Sequence, residues 1–109
     1  MSFLDNPYAY PEKSGLTIVG EIDWSSGYYE FDLTVVWADA NDQLYYADDS
    51  GCSCPSPFEN MSFADLTPCT FFELVEHLEN RASTEDPAEY SEDTLINLIA
   101  KARMVGSSW

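Results

Sequence analysis

Apolar and polar residues alternate along two neighbouring stretches of the chain, residues 16–24 and residues 29–37. A period of two is typical of half-buried β-strands, because successive side chains point to opposite faces of a sheet. The segment between the two stretches contains Gly27, which permits a tight turn. The pattern therefore predicts a β-hairpin.

The register of this hairpin follows from placing the apolar residues of both strands on one face. Pairing Ile22 with Phe31 achieves this, whereas a slip of one residue would turn one apolar set outward. A three-residue loop ending at a left-handed Gly27 is also favourable turn chemistry, but it would set Ile22 opposite Glu30. We therefore expect the even register.

The even register brings four carboxylates together on the outer face of the hairpin. Asp23 falls opposite Glu30, and Glu21 falls opposite Asp32. Like charges directly across two strands destabilise a sheet by up to about 1 kcal/mol per pair. A surface that tolerates this loss is a candidate binding surface for a cationic partner.

The chain after the hairpin predicts a third strand. Residues 39–42 have the composition of a turn, and residues 43–48 can return along the second strand. Leu44 and Tyr46 would then face inward on the same side as Trp37. The predicted sheet is a three-stranded antiparallel meander.

Apolar residues at helical spacing predict two helices in the last third of the chain. Thr70 and Glu73 form a capping box at the start of the first, which ends near Arg81. The second begins near Ser91 and ends around Gly106. The predicted fold class is α+β, with the meander packed against both C-terminal helices.

Composition places the charge on one folded domain. The 109 residues include 20 acidic and 4 basic side chains, for a net charge of -16, yet 45% of the residues are hydrophobic. Disordered acidic segments are poor in apolar residues, so we expect a single domain over residues 16–109, preceded by an aromatic and proline-containing arm at residues 1–15. We expect neither a signal peptide nor a membrane span, and the three cysteines favour a reducing compartment, the cytoplasm.

Acidic residues also form a row on the first predicted helix, where Glu73, Glu76 and Glu79 recur every third position. Their spacing along the axis is about 4.5 Å, so the row can imitate a phosphate backbone. A solvated face that serves solubility alone fits the same residues. Together with Tyr45 on the outer sheet face, the row and the hairpin acids are the candidate binding residues: Glu21, Asp23, Glu30, Asp32, Glu73, Glu76, Glu79 and Tyr45.

A segment rich in cysteine and proline follows the third strand and reads as a stiff structural loop. Its characteristic residues are Gly51, Cys52, Cys54, Pro55, Pro57 and Phe58. Structural zinc needs four ligands, usually with two to four residues between paired cysteines, whereas a single residue separates this pair. Cys69 precedes the first predicted helix and His77 lies on its second turn, so these two other candidate ligands would be roughly 10 Å apart. We therefore expect neither a metal nor another cofactor.

The sequence gives little support to catalysis. Its single histidine, His77, is far along the chain from the cysteine loop, so no base is evident beside a nucleophile. Clustered carboxylates on the hairpin could hold a cation, which leaves a metal-dependent enzyme as an alternative. We expect a protein that is not an enzyme.

Five segments of the first two thirds of the chain resemble a family of small actinobacteriophage and actinobacterial proteins: Asn6-Pro7, residues 15–22, 31–37, 44–47 and 49–59. The cysteine-proline string is the most specific of them. The resemblance assigns no reaction, cofactor or catalytic residue. It implies a phage accessory protein in the cytoplasm of a bacterial host.

Taken with the charge, this origin predicts a protein that binds a basic host protein and inhibits or redirects it, without touching nucleic acid or membrane directly. The alternative is a virion structural or assembly protein, whose charge would only keep it soluble.

Overall fold

The structure, a computed structural model, describes residues 7–8, 10–25, 30–52, 62–84 and 90–106. The predicted α+β class is confirmed, but the antiparallel sheet has four strands in the order β1-β2-β3-β4. Short 3-10 turns occur at Pro11–Ser14 and Phe63–Asp65. The main elements are β1 (Leu16–Asp23), β2 (Glu30–Asp39), β3 (Leu44–Cys52), β4 (Thr67–Cys69), α1 (Phe71–Thr84) and α2 (Glu92–Gly106).

The additional strand, β4, runs antiparallel to the first three residues of β3. It has three residues, and Pro68 is the central one. Such a segment is too short to show alternation, and proline is confined to the edges of sheets because it lacks an N–H. For these reasons the sequence did not predict it.

The predicted register of the first hairpin is wrong. Ile22 lies opposite Thr34, and Glu21 lies opposite Val35. The pairing also shifts by one residue between Ile18 and Gly20, where β1 contains a bulge. Consequently no pair of acidic residues faces another across β1 and β2.

The register departs from the prediction because β2 is buried on both of its faces. Val35, Val36 and Trp37 are consecutive, and all three are 0% exposed. When neighbouring residues on both faces are buried, alternation no longer tells which set faces the main core. The odd-numbered residues of β2 were expected to face the helices. In the structure the even-numbered residues of β2 face the helices instead.

Two cores result, one on each face of the sheet. The helix-side core contains Ile22, Trp24, Val36, Ala38, Leu44, Cys69, Leu74, Leu78, Leu98 and Ala102. The opposite core contains Leu16, Leu33, Val35, Trp37, Ala47 and Leu66, with Tyr8, Ile18 and Tyr45 packed against it. The indole Nε1 of Trp37 donates to the Pro7 carbonyl, 3.0 Å away, so the described part of the N-terminal arm covers this second core.

The turn predicted at residues 39–42 is confirmed. Asp42 is left-handed, with φ 62°, and the Asp39 carboxylate accepts the backbone N–H groups of Asn41 and Gln43 at 2.8 and 3.0 Å. The following strand, predicted over residues 43–48, spans Leu44–Cys52. Leu44 and Tyr46, however, face the helices and lie on the opposite side of the sheet from Trp37.

The helix caps agree with the sequence prediction. The N–H of Thr70 donates to Glu73 Oε1 at 2.9 Å, and the N–H of Glu73 donates to Thr70 Oγ1 at 3.1 Å. Ser91 Oγ accepts the Thr94 N–H in the first turn of α2. α2 lies close to β1, since a Cβ added to Gly20 would come within 2.8 Å of Leu98 Cδ1.

Candidate functional site

A network of polar side chains joins α1 to the sheet. The Asp48 carboxylate accepts a hydrogen bond from the Thr34 hydroxyl, and its Oδ2 lies 2.7 Å from His77 Nε2. Arg81 donates from Nη1 to Asp48 at 3.1 Å and from Nη2 to Asp32 at 2.7 Å. One guanidinium therefore serves two carboxylates on neighbouring strands.

Aromatic rings enclose this network. Tyr46 stacks on the imidazole of His77 with ring centroids 4.1 Å apart. The guanidinium carbon of Arg81 lies 5.3 Å from the centre of the Trp24 ring, within the range of a cation–π interaction. The Trp24 Nε1 donates to Thr34 Oγ1 at 2.8 Å. The polar groups are thereby fixed in position from both sides.

This network was not predicted from the sequence, because the predicted register placed the other face of β2 against the helices. His77 and Arg81 lie one turn apart on α1, beside the buried Leu74 and Leu78. Asp48 follows Leu44 and Tyr46 in alternation, so its side chain points to the same helix face. The sequence did contain a signal for the network: His77 and Arg81 lie beside the apolar stripe of α1, and Asp48 continues the inward-facing alternation of Leu44 and Tyr46.

The network resembles the carboxylate-oriented histidine of acid–base sites, in which a carboxylate holds the imidazole in place. Its one hydroxyl belongs to Thr34, which is fully buried and already donates to Asp48. The side chains of His77 and Arg81 are 24% and 20% exposed. The arrangement connects α1 to β2 and β3, and we call it the clasp.

The structure does not bring the predicted hairpin acids together. Glu21 and Asp23 share a face with the second core, whereas Asp32 points to the helix side and pairs with Arg81. The side chain of Glu30 lies outside the described residues. The predicted cluster of four acids is therefore wrong at Asp32, whereas Glu21 and Asp23 lie on the sheet face away from the helices, as predicted.

Glu21 and Asp23 each have a local hydrogen-bond partner. The hydroxyl of Tyr8 donates to Glu21 Oε2 at 2.7 Å. The backbone N–H and hydroxyl of Ser25 donate to Asp23 Oδ1 at 2.9 and 2.7 Å. These carboxylates order the arm and the end of β1.

Tyr45 does lie on the sheet face away from the helices, but it is half-buried there. Its ring packs against Phe63 at 5.4 Å, and its hydroxyl donates to Asp39 Oδ2 at 3.1 Å. Burial, followed by this hydrogen bond, raises the pKa of Tyr45. Tyr45 packs against the second core, and its role as a binding residue stays a prediction.

The predicted row of glutamates on α1 is present at the surface. Glu73, Glu76 and Glu79 are all exposed. Phe72 lies on the same stripe, one turn before Glu76, and is 81% exposed. We call these four residues the α1 ridge. Phe72 was not predicted as a surface residue of this row; its neighbour Phe71 is the one that packs against the helix-side core.

The cysteine-proline segment is described only at its start. Gly51 and Cys52 are the last residues of β3, paired with Phe31 and Glu30, so they do not belong to a loop. The remaining predicted loop residues lie outside the described residues: Cys54, Pro55, Pro57 and Phe58.

The third cysteine, Cys69, lies inside the helix-side core. Burial, followed by the charge of Glu73, raises the pKa of the Cys69 thiol to about 12. Such a thiol stays protonated and is a poor nucleophile and metal ligand. Across the described ranges, no three side chains of His, Cys, Asp or Glu are grouped to hold a metal ion.

The fold and these surfaces define a small, strongly acidic α+β protein with a four-stranded antiparallel sheet covered on both faces. The chain belongs to the family of the DUF7574 domain, a domain of unknown function, which matches residues 5–107. No curated protein and no solved structure matches the chain. Within the described part of the chain, neither helix has the length and apolar character needed to cross a bilayer.

Tyr8 gives a testable pH dependence. Burial, followed by the hydrogen bond to Glu21 and its charge, raises the pKa of Tyr8 from 10.0 to about 12. Because the folded pKa lies above the unfolded one, the stabilisation by Tyr8 is complete below pH 10 and is lost as the pH rises through about 12. We expect Tyr8→Phe to remove a late component from the tyrosinate absorbance titration, with the fold followed by circular dichroism.

The exposed Tyr10 provides the matched control for this titration. Tyr10→Phe should leave the late component of Tyr8 in place. A Tyr8→Phe titration that superimposes on that of the unaltered protein at high pH would contradict the assigned hydrogen bond.

Proposed function

We propose that this protein is a binding protein without enzymatic activity, and that its α1 ridge engages a basic surface on another protein. One observation carries the proposal: Phe72, an aromatic residue 81% exposed, stands among three exposed glutamates. Single exposed apolar residues are common on protein surfaces. A large aromatic residue inside a row of like charges has the composition of an interface anchor and its charged rim.

The two parts of the α1 ridge have different physical tasks. An aromatic residue that becomes fully desolvated in a complex supplies much of the affinity. Carboxylates around it supply orientation and faster association with a positively charged surface. Like charges three or four residues apart cost an isolated helix a few tenths of a kcal/mol per pair. Glu73 offsets this cost by capping α1 through Thr70, but Glu76 and Glu79 bring no such gain to the helix.

The charge outside the network strengthens this argument. Arg81, one of 4 basic residues, is held between Asp32 and Asp48, two of the 20 acidic residues. Setting these side chains aside leaves three basic residues against eighteen acidic ones on the rest of the chain. Such a surface repels nucleic acid and attracts cationic proteins.

The resemblance to phage and actinobacterial proteins supports a location and a type of partner. We infer that the protein acts in the cytoplasm of a bacterial host on a host protein with a basic surface. A surface that normally contacts nucleic acid fits this chemistry best, because glutamates about 4.5 Å apart along α1 present a regular row of negative charge. Occupying that surface would inhibit or redirect the host protein.

The test is affinity capture from an actinobacterial lysate, followed by binding measurements with the purified partner. We expect a basic protein that is retained at low salt and released as the salt concentration rises. Phe72→Ala should weaken binding about 30-fold, equivalent to about 2 kcal/mol for an anchor residue. Glu76→Gln with Glu79→Gln should slow association and reduce its salt dependence.

A charge-matched control separates the α1 ridge from the overall charge. Glu12→Gln with Glu92→Gln removes two exposed carboxylates elsewhere and should leave affinity and association rate nearly unchanged. Equal effects of the two double variants would show that only net charge matters. Phe72→Ala binding as tightly as the unaltered protein, or stoichiometric presence of the protein in virions without a basic host partner, would contradict the proposal.

A further inference from the structure

The outer edge of β1 is open among the described residues. β1 is the first strand of the sheet and pairs only with β2. The sheet's other edge strand, β4, carries Pro68, which has no N–H to donate. An open edge is a template for pairing with another extended chain, and proteins usually block it.

The hydrogen bonds of β1 show which backbone groups face the open edge. The Trp24 N–H donates to the Asp32 carbonyl at 2.7 Å, in the register that sets Asp23 opposite Leu33. In an antiparallel pair, alternate residues direct both their N–H and C=O groups to the neighbouring strand. Ile22 therefore turns its backbone groups toward β2. Glu21 and Asp23 turn theirs away from it.

Backbone and side-chain chemistry at this edge favour the same kind of occupant. A residue placed directly opposite Glu21 or Asp23 would have its side chain on the same sheet face as that carboxylate. Opposite charges across strands stabilise a pair, and like charges destabilise it. Full antiparallel overlap of β1 with β1 of a second copy would set Glu21 opposite Ile18 and Asp23 opposite Leu16, which gives neither carboxylate an opposite charge. The edge therefore favours lysine and arginine over a second copy of this chain.

The other face of the edge is apolar. Ile22 is 1% exposed there, and Leu98 of α2 packs close to Gly20, since a β-carbon at position 20 would lie 2.8 Å from Leu98 Cδ1. Residues of an added strand that alternate with the basic ones would project on this face, beside α2. An apolar side chain there would extend the helix-side core.

We propose that β1 binds an extended basic segment of a partner protein as an added antiparallel strand, with lysine or arginine opposite Glu21 and Asp23 and apolar residues between them. The recognition is β-augmentation, in which main-chain hydrogen bonds provide affinity and alternate side chains provide specificity. This inference goes beyond the proposed function, because it depends on the edge of the sheet and not on the α1 ridge.

The experiment uses the full chain and a short synthetic peptide of strictly alternating lysine and valine. We expect the peptide to shift the amide resonances of Glu21 and Asp23 and to slow their hydrogen exchange. A peptide of the same composition with its lysines and valines in two blocks should bind at least about tenfold more weakly, since it cannot present both sets in register.

Two substitutions at one position separate backbone pairing from charge. Glu21→Pro removes an N–H that faces the open edge, a position where proline is tolerated in a strand, and should weaken peptide binding at least about tenfold with the fold retained. Glu21→Gln keeps the N–H and removes only the charge, so it should weaken binding less and reduce its salt dependence. Circular dichroism of both variants verifies that the sheet is intact.

The proposal is overturned if a folded Glu21→Pro variant binds the peptide as the unaltered protein does. It is also overturned if the protected amides lie on β3, β4 or α1, or if the β1 amides become protected with rising protein concentration alone. The last result would identify a second copy as the occupant. None of these outcomes bears on the effect of Phe72→Ala, so this inference and the proposed function can fail separately.

Discussion

Alanine in place of Trp37 is expected to lower the free energy of unfolding by about 3–5 kcal/mol. Trp37 is 0% exposed and fills the core on the sheet face away from the helices. Its removal would leave a cavity beside Val35 and Leu66 and would release the Pro7 carbonyl from its indole donor. Because small domains unfold with about 5–15 kcal/mol in total, this variant should lie near the limit of stable folding.

Urea unfolding followed by far-ultraviolet circular dichroism measures this effect, and two variants make it specific. Trp37→Phe keeps most of the ring and loses the bond to Pro7, so it should cost markedly less than alanine. Phe63→Ala truncates an aromatic residue on the same face that is 42% exposed, and should cost less again. A loss below about 1 kcal/mol for Trp37→Ala would show that this face is not a second core.

Methionine in place of Arg81 is expected to cost about 2–3 kcal/mol. The substitution leaves the carboxylates of Asp32 and Asp48 half-buried without the guanidinium that both contact. Removing one partner of a fully buried ion pair costs more, but these side chains are 29% exposed, and water screens part of the charge. The loss should fall on the attachment of α1 to the sheet.

A double-mutant cycle tests this assignment. Adding Asp48→Asn to Arg81→Met removes one of the carboxylates that has lost its partner. The losses of unfolding free energy in the two single variants should therefore sum to more than the loss in the double variant. Arg103→Met, an exposed arginine on α2, is the matched control and should change stability by about 0.5 kcal/mol or less. Equal effects of Arg81→Met and Arg103→Met would rule out the clasp.

The helices could be predicted from the sequence because their signals are local. The capping box of Thr70 and Glu73 lies within one turn, and Ser91 lies three residues from the N–H it accepts. The left-handed turn at Asp42 is set by residues next to it in the chain. In each case the interacting groups are close in sequence, so composition and spacing contain the information.

The register of β1 and β2 could not be predicted because it depends on distant parts of the chain. The face of Trp37 is covered by Pro7 and Leu66, and the face of Val36 is covered by the helices. Only the packing of all these segments decides which residues of β2 face which core. The bulge near Gly20 adds an irregularity that alternation cannot show.

The same cause divides the candidate site into a predictable and an unpredictable part. Glu76 and Glu79 follow from helical spacing alone and are exposed as expected. Asp32 was placed among the surface acids, yet its partner Arg81 lies 49 residues away in the chain. A contact between residues so far apart in the chain leaves no local pattern in the sequence. The clasp therefore could not be predicted without the three-dimensional fold.

Cys69 gives the protein a built-in reporter of its own fluctuations. Its thiol is 4% exposed at the end of β4, inside the helix-side core, so a reagent reaches it only when this part of the fold opens. When Cys52 and Cys54 are replaced by serine, the rate of thiol labelling measures how often that opening occurs. The labelling rate of Cys69, measured with and without a partner on the α1 ridge or the β1 edge, would show whether binding suppresses opening throughout the molecule or only in the element that is bound.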